Sequence, residues 1–132
     1  MDTSPLLIDT HVLIWWICGD KRLSNKVLGT LEETADVRYS IVSLWEIGLK
    51  MSGKGFDVPL PAHWELEIPR WMDHYAVTLQ AITPRHCRLI QDLPLHHKDP
   101  FDRMLVAQAL DGHLTLASKD PWLDDYGVKR IW

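Results

Sequence analysis

The stretch Leu6-Leu7-Ile8-Asp9 is a short apolar run that ends in a carboxylate. A continuous apolar run of this kind is typical of a strand buried on both faces in a parallel sheet. The residues from His11 to Cys18 predict a helix, which can stop near Gly19. A buried strand followed at once by a helix indicates an α/β fold, and it places Asp9 at the junction of the two.

Predicted strands and helices alternate along the rest of the chain. Further strands are predicted at residues 37–41, 76–79, 114–117 and 128–131. Helices are predicted at residues 24–33, 43–51, 63–75, 84–91 and 99–110, with a helical turn at 121–126. Ser24, Ser43 and Asp99 stand at positions that favour N-caps. This alternation, with no repeat and no linker, predicts one domain over residues 1–132, built on a doubly wound, mainly parallel sheet.

The composition limits the class of protein. Hydrophobic residues make up 46% of the chain and charged residues 24%, as in an ordinary soluble globule. The net charge of −4 argues weakly against nucleic-acid binding, unless the acids concentrate at a metal site. Seven tryptophans raise the odds of a protein interface. The basic residues that could contact a nucleic-acid backbone are Lys50, Lys54, Arg85, Arg88, Lys98, Arg103 and Lys119.

Cysteine usage and hydropathy predict a cytoplasmic protein. Cys18 and Cys87 do not form a CxxC pair, so reduced thiols are expected. The amino terminus lacks a basic region followed by a long apolar stretch, so no signal peptide is expected. The longest apolar run, Val12 to Cys18, is far shorter than the ~20 residues that a membrane span needs.

Four carboxylates stand at predicted strand ends or helix starts: Asp9, Glu46, Asp102 and Asp120. Parallel strands end at one edge of their sheet, where the next helices begin, so these acids can meet there. Helix capping is the simpler explanation for each of the last three when taken singly. Glu46 fits a capping box with Ser43. Asp102 follows the predicted cap Asp99, and Asp120 precedes Pro121.

The joint pattern favours a metal site over capping alone. Asp9 closes a buried strand, and a buried charge needs a partner or a metal. Four carboxylates at one edge of a sheet would repel each other strongly, and a divalent ion relieves that repulsion. Hard oxygen ligands suit Mg²⁺ or Mn²⁺, which can hold a phosphate and polarise a water. The residues therefore predict a metal-dependent phosphodiesterase.

Four segments resemble, in order and spacing, the motifs of the PIN-domain family. They are Leu6 to His11, Ser43 to Ile47, Asp99 to Ala109 and Leu116 to Asp120. Each motif alone is weak, but the ordered set is specific and covers nearly the whole chain. The likeness is greatest to the VapC-type ribonuclease toxins of prokaryotic toxin–antitoxin pairs.

The resemblance implies an α/β/α sandwich and an endoribonuclease that depends on Mg²⁺ or Mn²⁺. It implies an RNA substrate, a homodimer and neutralisation by a cognate antitoxin. It also implies that Thr10 and Ser43 support the site, that Asp99 is a helix cap, and that Asp124 is either a fifth acid or, more simply, a surface residue. The implied acidic set, both catalytic and metal-binding, is Asp9, Glu46, Asp102 and Asp120.

The mechanistic hypothesis is in-line attack of an activated water on phosphorus, which expels the 3′ oxygen. Asp9 and Asp102 would hold the principal metal, and Glu46 and Asp120 would complete the site directly or through water. Cleavage would leave 5′-phosphate and 3′-hydroxyl ends. No histidine base is needed, and loop or core roles are expected for His11, His96 and His97 before contact with RNA.

Three alternatives stay open. One is a small-molecule phosphohydrolase, although Asp9 is not followed two residues later by the second acid that an aspartyl-phosphate enzyme would use. Another is a non-catalytic nucleic-acid-binding module with the same fold. The third is a zinc protein built on Cys87, His96 and His97, for which adjacent histidines are a poor chelating pair.

Overall fold

The computed structural model describes residues 4–132, so the expectation about the amino terminus rests in part on residues outside the described range. All strands of its central sheet are parallel, in the order β3-β2-β1-β4-β5. The strands are β1 (Leu6–Ile8), β2 (Val37–Ser40), β3 (Thr78–Gln80), β4 (Thr115–Ala117) and β5 (Arg130–Ile131). The predicted parallel α/β architecture is confirmed, although β3 and β5 each begin two residues later than predicted.

Helices connect each strand to the next. They are α1 (Thr10–Cys18), α2 (Asn25–Glu33), α3 (Ile41–Met51), α4 (Trp64–His74), α5 (Pro84–Asp92) and α6 (Pro100–Gly112), followed by a 3₁₀ helix (Pro121–Tyr126). Ser24 and Asp99 cap α2 and α6 through their side chains, as predicted. Pro69 lies inside α4 without ending it.

The three-layer α/β/α arrangement follows from the alternation of side chains along β1. Leu6 and Ile8 point to one hydrophobic cluster, which includes apolar residues of α1, α2 and α4. Leu7 points to a second cluster on the opposite face, formed with α6 and the 3₁₀ helix. All three side chains are fully buried, and each such burial stabilises the fold by about 1.5–3 kcal/mol.

The predicted N-cap of α3 was wrong by one turn. The helix begins at Ile41, immediately after β2, and the Ser40 hydroxyl accepts a hydrogen bond from the Val42 N–H at 3.0 Å. Ser43 therefore lies inside the first turn, buried, with its hydroxyl directed at Thr10. The capping box of Ser43 with Glu46 does not form, because Glu46 is bound to other groups.

The order of the strands fixes where a ligand site can form. The chain starts at the centre of the sheet with β1, proceeds outwards to β2 and β3, and then returns to β4 and β5 on the other side. The direction of winding reverses between β1 and β4, and in open parallel sheets ligands bind beyond the carboxyl ends of such strands. Asp9 follows β1 and Asp120 lies shortly after β4, so both stand at this point.

Two further expectations concern the cysteines and membrane-spanning helices. Cys18 and Cys87 are free and exposed. Within residues 4–132, no helix has the length and apolar character needed to cross a membrane.

Candidate active site

A cleft with a volume of about 410 Å³ opens at the carboxyl edge of the sheet. All four predicted acids line it, although they come from four separate segments of the chain. The lining residues are Asp9, Thr10, His11, Trp15, Glu46, Lys50, Asp99, Asp102, Lys119, Asp120 and Pro121. The arrangement concentrates negative charge in one place, as the strand-end positions predicted.

Asp9 caps α1 and also lines the cleft. Its Oδ1 accepts a hydrogen bond from the Val12 N–H at 2.8 Å, which caps α1. Burial raises the pKa of this carboxyl, and hydrogen bonds from Ser118 and Val12 partly offset the effect. In the described part of the chain, Asp9 makes no ion pair with a lysine or arginine, so a cation in the cleft would be its natural counter-charge.

Asp102 lies in the first turn of α6, and its carboxyl is also strongly perturbed by its surroundings. Burial, followed by the charges of Asp99 and Asp9, raises the pKa of its carboxyl from 3.8 to about 7. Its side chain is 23% exposed, on the side of the cleft. A carboxyl held in this way is poorly stabilised as an anion, and a bound cation would restore its ordinary ionisation.

Glu46 is buried on α3 and is held by two neighbours. The Thr10 Oγ1 lies 2.6 Å from Glu46 Oε1, and the Lys50 Nζ lies 2.6 Å from Glu46 Oε2. Because a carboxylate can only accept, the Thr10 hydroxyl donates its single proton to Glu46. The 3.0 Å contact between Thr10 and Ser43 then uses the proton of the Ser43 hydroxyl. These contacts fix the orientation of Glu46 from both sides.

Asp120 precedes the 3₁₀ helix and caps it. Its Oδ1 accepts a hydrogen bond from the Trp122 N–H at 3.0 Å, so its Oδ2 is left to face the cleft. The ring nitrogen Nε2 of His97 lies 3.1 Å from that Oδ2 and 3.4 Å from Asp102 Oδ2. His97 lies in a loop, as predicted, and its ring contacts two of the predicted acids, a contact that was not predicted.

Two other acids have structural roles. Asp99 Oδ1 accepts hydrogen bonds from the N–H groups of Phe101 and Asp102, as its predicted cap role requires, although Asp99 also lines the cleft. Asp124 is exposed and pairs with Arg130, at 2.8 Å between Oδ1 and Nε. It is not among the residues that line the cleft, which favours the interpretation of Asp124 as a surface residue.

The basic residues divide between the cleft and the rest of the surface. Lys50 and Lys119 line the cleft, and the Lys119 Nζ lies 5.9 Å from the centroid of the Trp15 ring. Arg85 pairs instead with Asp111, and Arg103 donates to the Pro94 carbonyl in the loop before α6 and to the Ile90 carbonyl in α5. The spacing of Glu46 and Lys50, four residues apart on one helix, was a signal in the sequence for their pairing.

The donor set of the cleft fits a hard divalent cation. Asp9, Asp102 and Asp120 all line the cleft, and carboxylate oxygens of Asp102 and Asp120 lie within 4.8 Å of one another and of a ring nitrogen of His97. Burial and then the charges of Asp99 and Asp9 raise the pKa of Asp102. Glu46 is less suited to bind the cation directly, because both of its carboxylate oxygens already have partners. Oxygen-rich sets of this kind suit Mg²⁺ or Mn²⁺.

The chain is similar to known proteins over nearly its whole length. The family model of the PIN domain matches residues 6–129. The chain is 25% identical over 135 aligned positions to the protein named Ribonuclease VapC22 of Mycobacterium tuberculosis. That alignment covers 98% of this chain and 99% of the relative.

Solved structures share the fold. A DNA-bound VapBC structure from Salmonella typhimurium matches with a TM-score of 0.68 and 11% identity, over 97% of each chain. The FitAcB structure from Neisseria gonorrhoeae matches with a TM-score of 0.66 and 15% identity, over 96% of each chain. With the family model covering nearly every residue, the four-acid cleft and the parallel five-stranded sheet lead to one conclusion: the chain belongs to the PIN-domain family.

Proposed function

We propose that the chain is a VapC-type endoribonuclease toxin, a single PIN-like domain that acts in the cytoplasm and hydrolyses RNA with the help of Mg²⁺ or Mn²⁺. The observation that carries this proposal is the meeting of Asp9, Glu46, Asp102 and Asp120 in one cleft. Helix capping alone would not bring these side chains together. The similarity to Ribonuclease VapC22 supports the same activity.

In this proposal, Asp9 and Asp102 hold the cation and Asp120 completes its ligands. A bound divalent cation would supply charge neutralisation at the phosphate and an activated water for attack. Thr10 and Lys50 keep Glu46 in a fixed orientation, so it can accept a hydrogen bond through water at the side of the site. No ring nitrogen is required as a base for this chemistry.

The substrate phosphate would be bound by the basic side chains of the cleft. Lys50 and Lys119 lie beside the acids, and each can neutralise a phosphate oxygen of the RNA backbone. Trp15 lines the same cleft and offers part of its ring as an apolar wall. The overall negative charge of the chain is compatible with RNA binding, because cations held by the acids would reverse the local field.

The proposed activity predicts cleavage that depends on a divalent cation. Purified protein is incubated with total cellular RNA in Mg²⁺, in Mn²⁺ and in excess EDTA, and the fragments are resolved on a denaturing gel. Cleavage is expected with either cation and not in EDTA. The fragments should be ligatable at their 5′ ends without prior phosphorylation, because in-line attack by water leaves 5′-phosphate and 3′-hydroxyl ends.

Other outcomes would identify the alternatives. Cleavage that continues in EDTA and leaves 2′,3′-cyclic phosphates would contradict the carboxylate mechanism. Binding of RNA without cleavage by folded protein would favour a non-catalytic module. Hydrolysis of a small phosphomonoester without cleavage of RNA would favour a phosphohydrolase.

We propose that the chain forms a homodimer and binds a cognate antitoxin through exposed apolar surfaces. Trp45 and Leu49 are four residues apart on α3, and the side chain of Trp45 is 61% exposed. A separate groove of about 200 Å³ is lined by Trp16, Ile17, Trp71 and Tyr75. Apolar patches of this kind are typical of protein interfaces.

The dimer has a direct test. Light scattering of the purified chain is expected to give twice the mass of one copy, and Trp45→Lys is expected to give the mass of one. A wild-type protein that is monomeric at micromolar concentration would rule out the homodimer.

A further inference from the structure

His97 contacts two acids of the cleft, although it is not itself among the residues that line the cleft. The residue lies in the segment between α5 and α6, yet its ring reaches Asp120, which follows β4. The Nε2 atom lies 3.1 Å from Asp120 Oδ2 and 3.4 Å from Asp102 Oδ2. His97 could therefore have either of two roles. It could be a third ligand of a cation, beside Asp102 and Asp120, or it could donate a hydrogen bond to these acids.

The other ring nitrogen decides between these two roles. The backbone N–H of Asp99 donates a hydrogen bond to His97 Nδ1 at 3.1 Å, so Nδ1 must present a lone pair. A neutral imidazole with its lone pair at Nδ1 carries its proton at Nε2. Nε2 is therefore a donor, and Asp120 Oδ2 is its acceptor. A ligand role would require Nε2 to lose that proton and Nδ1 to face the Asp99 N–H with a proton of its own.

The backbone around His97 holds the ring in this position. The His97 N–H donates to the Tyr126 hydroxyl at 2.8 Å, and Tyr126 is buried. The Arg103 Nη1 donates to the same hydroxyl at 3.2 Å and to the Pro94 carbonyl at 2.9 Å. The clamp of Arg103 and Tyr126 thus joins the loop, α6 and the 3₁₀ helix, and it fixes the backbone from which the ring of His97 extends.

We propose that His97 is a positioning residue for the cation site: through its Nε2–H it orients Asp120, and at longer range Asp102, without ligating the cation itself. This inference rests on the proposed metal-dependent function. Outer partners that hold ligating carboxylates typically contribute 10–100-fold to metal affinity. His97 would therefore act on cation binding through the two acids.

The test uses two substitutions of His97, each of which places an amide group near the position of one of the two ring nitrogens. Gln in place of His97 retains a donor near the position of Nε2, whereas Asn retains an acceptor near the position of Nδ1. Mn²⁺ affinity is measured by isothermal titration calorimetry on the whole chain. His97→Asn is expected to weaken Mn²⁺ binding about 10-fold or more, and His97→Gln to stay within about threefold of wild type. His96→Asn is the matched control, because His96 is exposed and contacts the ring of Tyr126 instead of the acids.

Pulsed electron paramagnetic resonance of the Mn²⁺-loaded protein separates donor from ligand. The coupling between the Mn²⁺ electron spin and nearby nitrogen nuclei is expected to be the same in wild type and in His97→Gln, since His97 is not bound to the cation. A directly coordinated nitrogen that disappears in His97→Gln would overturn the proposal. Equal Mn²⁺ affinities for wild type and a folded His97→Asn would also overturn it while leaving the proposed function intact. Failure of the wild type to bind Mn²⁺ would overturn both.

Discussion

Asp9→Asn is expected to lower the rate of RNA cleavage by about 10³-fold. The substitution removes the charge that stands at the carboxyl end of β1, where the cation would be bound. Loss of several kcal/mol of transition-state stabilisation corresponds to a factor of this size. Asn is also a good N-cap residue, and the Val12 N–H can still donate to its side-chain oxygen, so the fold should be retained.

The effect of Asp9→Asn is measured as initial rates on one defined RNA, with thermal unfolding as the check on folding. Asp124→Asn is the matched control, because Asp124 is exposed, pairs with Arg130 and lies outside the lining of the cleft. The same two variants, Asp9→Asn and Asp124→Asn, test the proposed toxin role in cells. Wild type and Asp124→Asn should arrest growth when expressed without an antitoxin, and Asp9→Asn should not. Undiminished cleavage by Asp9→Asn would refute the site assignment.

Asp102→Asn is expected to stabilise the cation-free protein at pH 8 while it abolishes cleavage. The gap between a folded-state pKa of about 7 and the ordinary value of 3.8 corresponds to ~4 kcal/mol when the carboxyl is fully ionised. Solvent at the partly exposed side chain reduces this cost, so a gain of roughly 1–3 kcal/mol in the free energy of unfolding is expected.

The pH dependence follows from the sign of the shift. A carboxyl whose pKa is raised by folding binds its proton more tightly in the folded state, so stability falls as pH rises from about 4 to about 7. Wild type and Asp102→Asn should therefore have similar stability near pH 4 and differ most at pH 8. Urea unfolding in EDTA at both pH values measures the difference. A variant that is less stable than wild type at pH 8 would contradict the raised pKa.

The parts of the site that were predictable share one physical origin. Leu6 to Ile8 form an apolar run too short for a helix and buried on both faces, so its carboxyl end had to lie at the ligand edge of a parallel sheet. Asp9 and Asp102 both line the cleft, and each stands next to a local signal in the sequence. For Asp102 the signal is the Asp99-Pro100 helix start, which is itself confirmed.

The N-cap of α3 was predicted wrongly because two local signals compete, and the contacts of His97 were not predicted because they are long-range. Ser40 and Ser43 can both cap a helix, and the sequence does not show that β2 runs into α3 without a loop. The role of His97 depends on a clamp that links Arg103 and Tyr126 across the fold, and no pattern of neighbouring residues encodes it. Polar contacts between distant segments are decided by packing, which local periodicity does not describe.

In the proposed mechanism, the acids of this cleft together bind a divalent cation. The most direct measurement is an anomalous difference map from crystals of the wild-type protein grown with Mn²⁺. A peak is expected in the cleft, about 2.0–2.2 Å from carboxylate oxygens of both Asp9 and Asp102. A map in which Mn²⁺ binds elsewhere, or in which the cleft stays empty at saturating Mn²⁺, would contradict this mechanism.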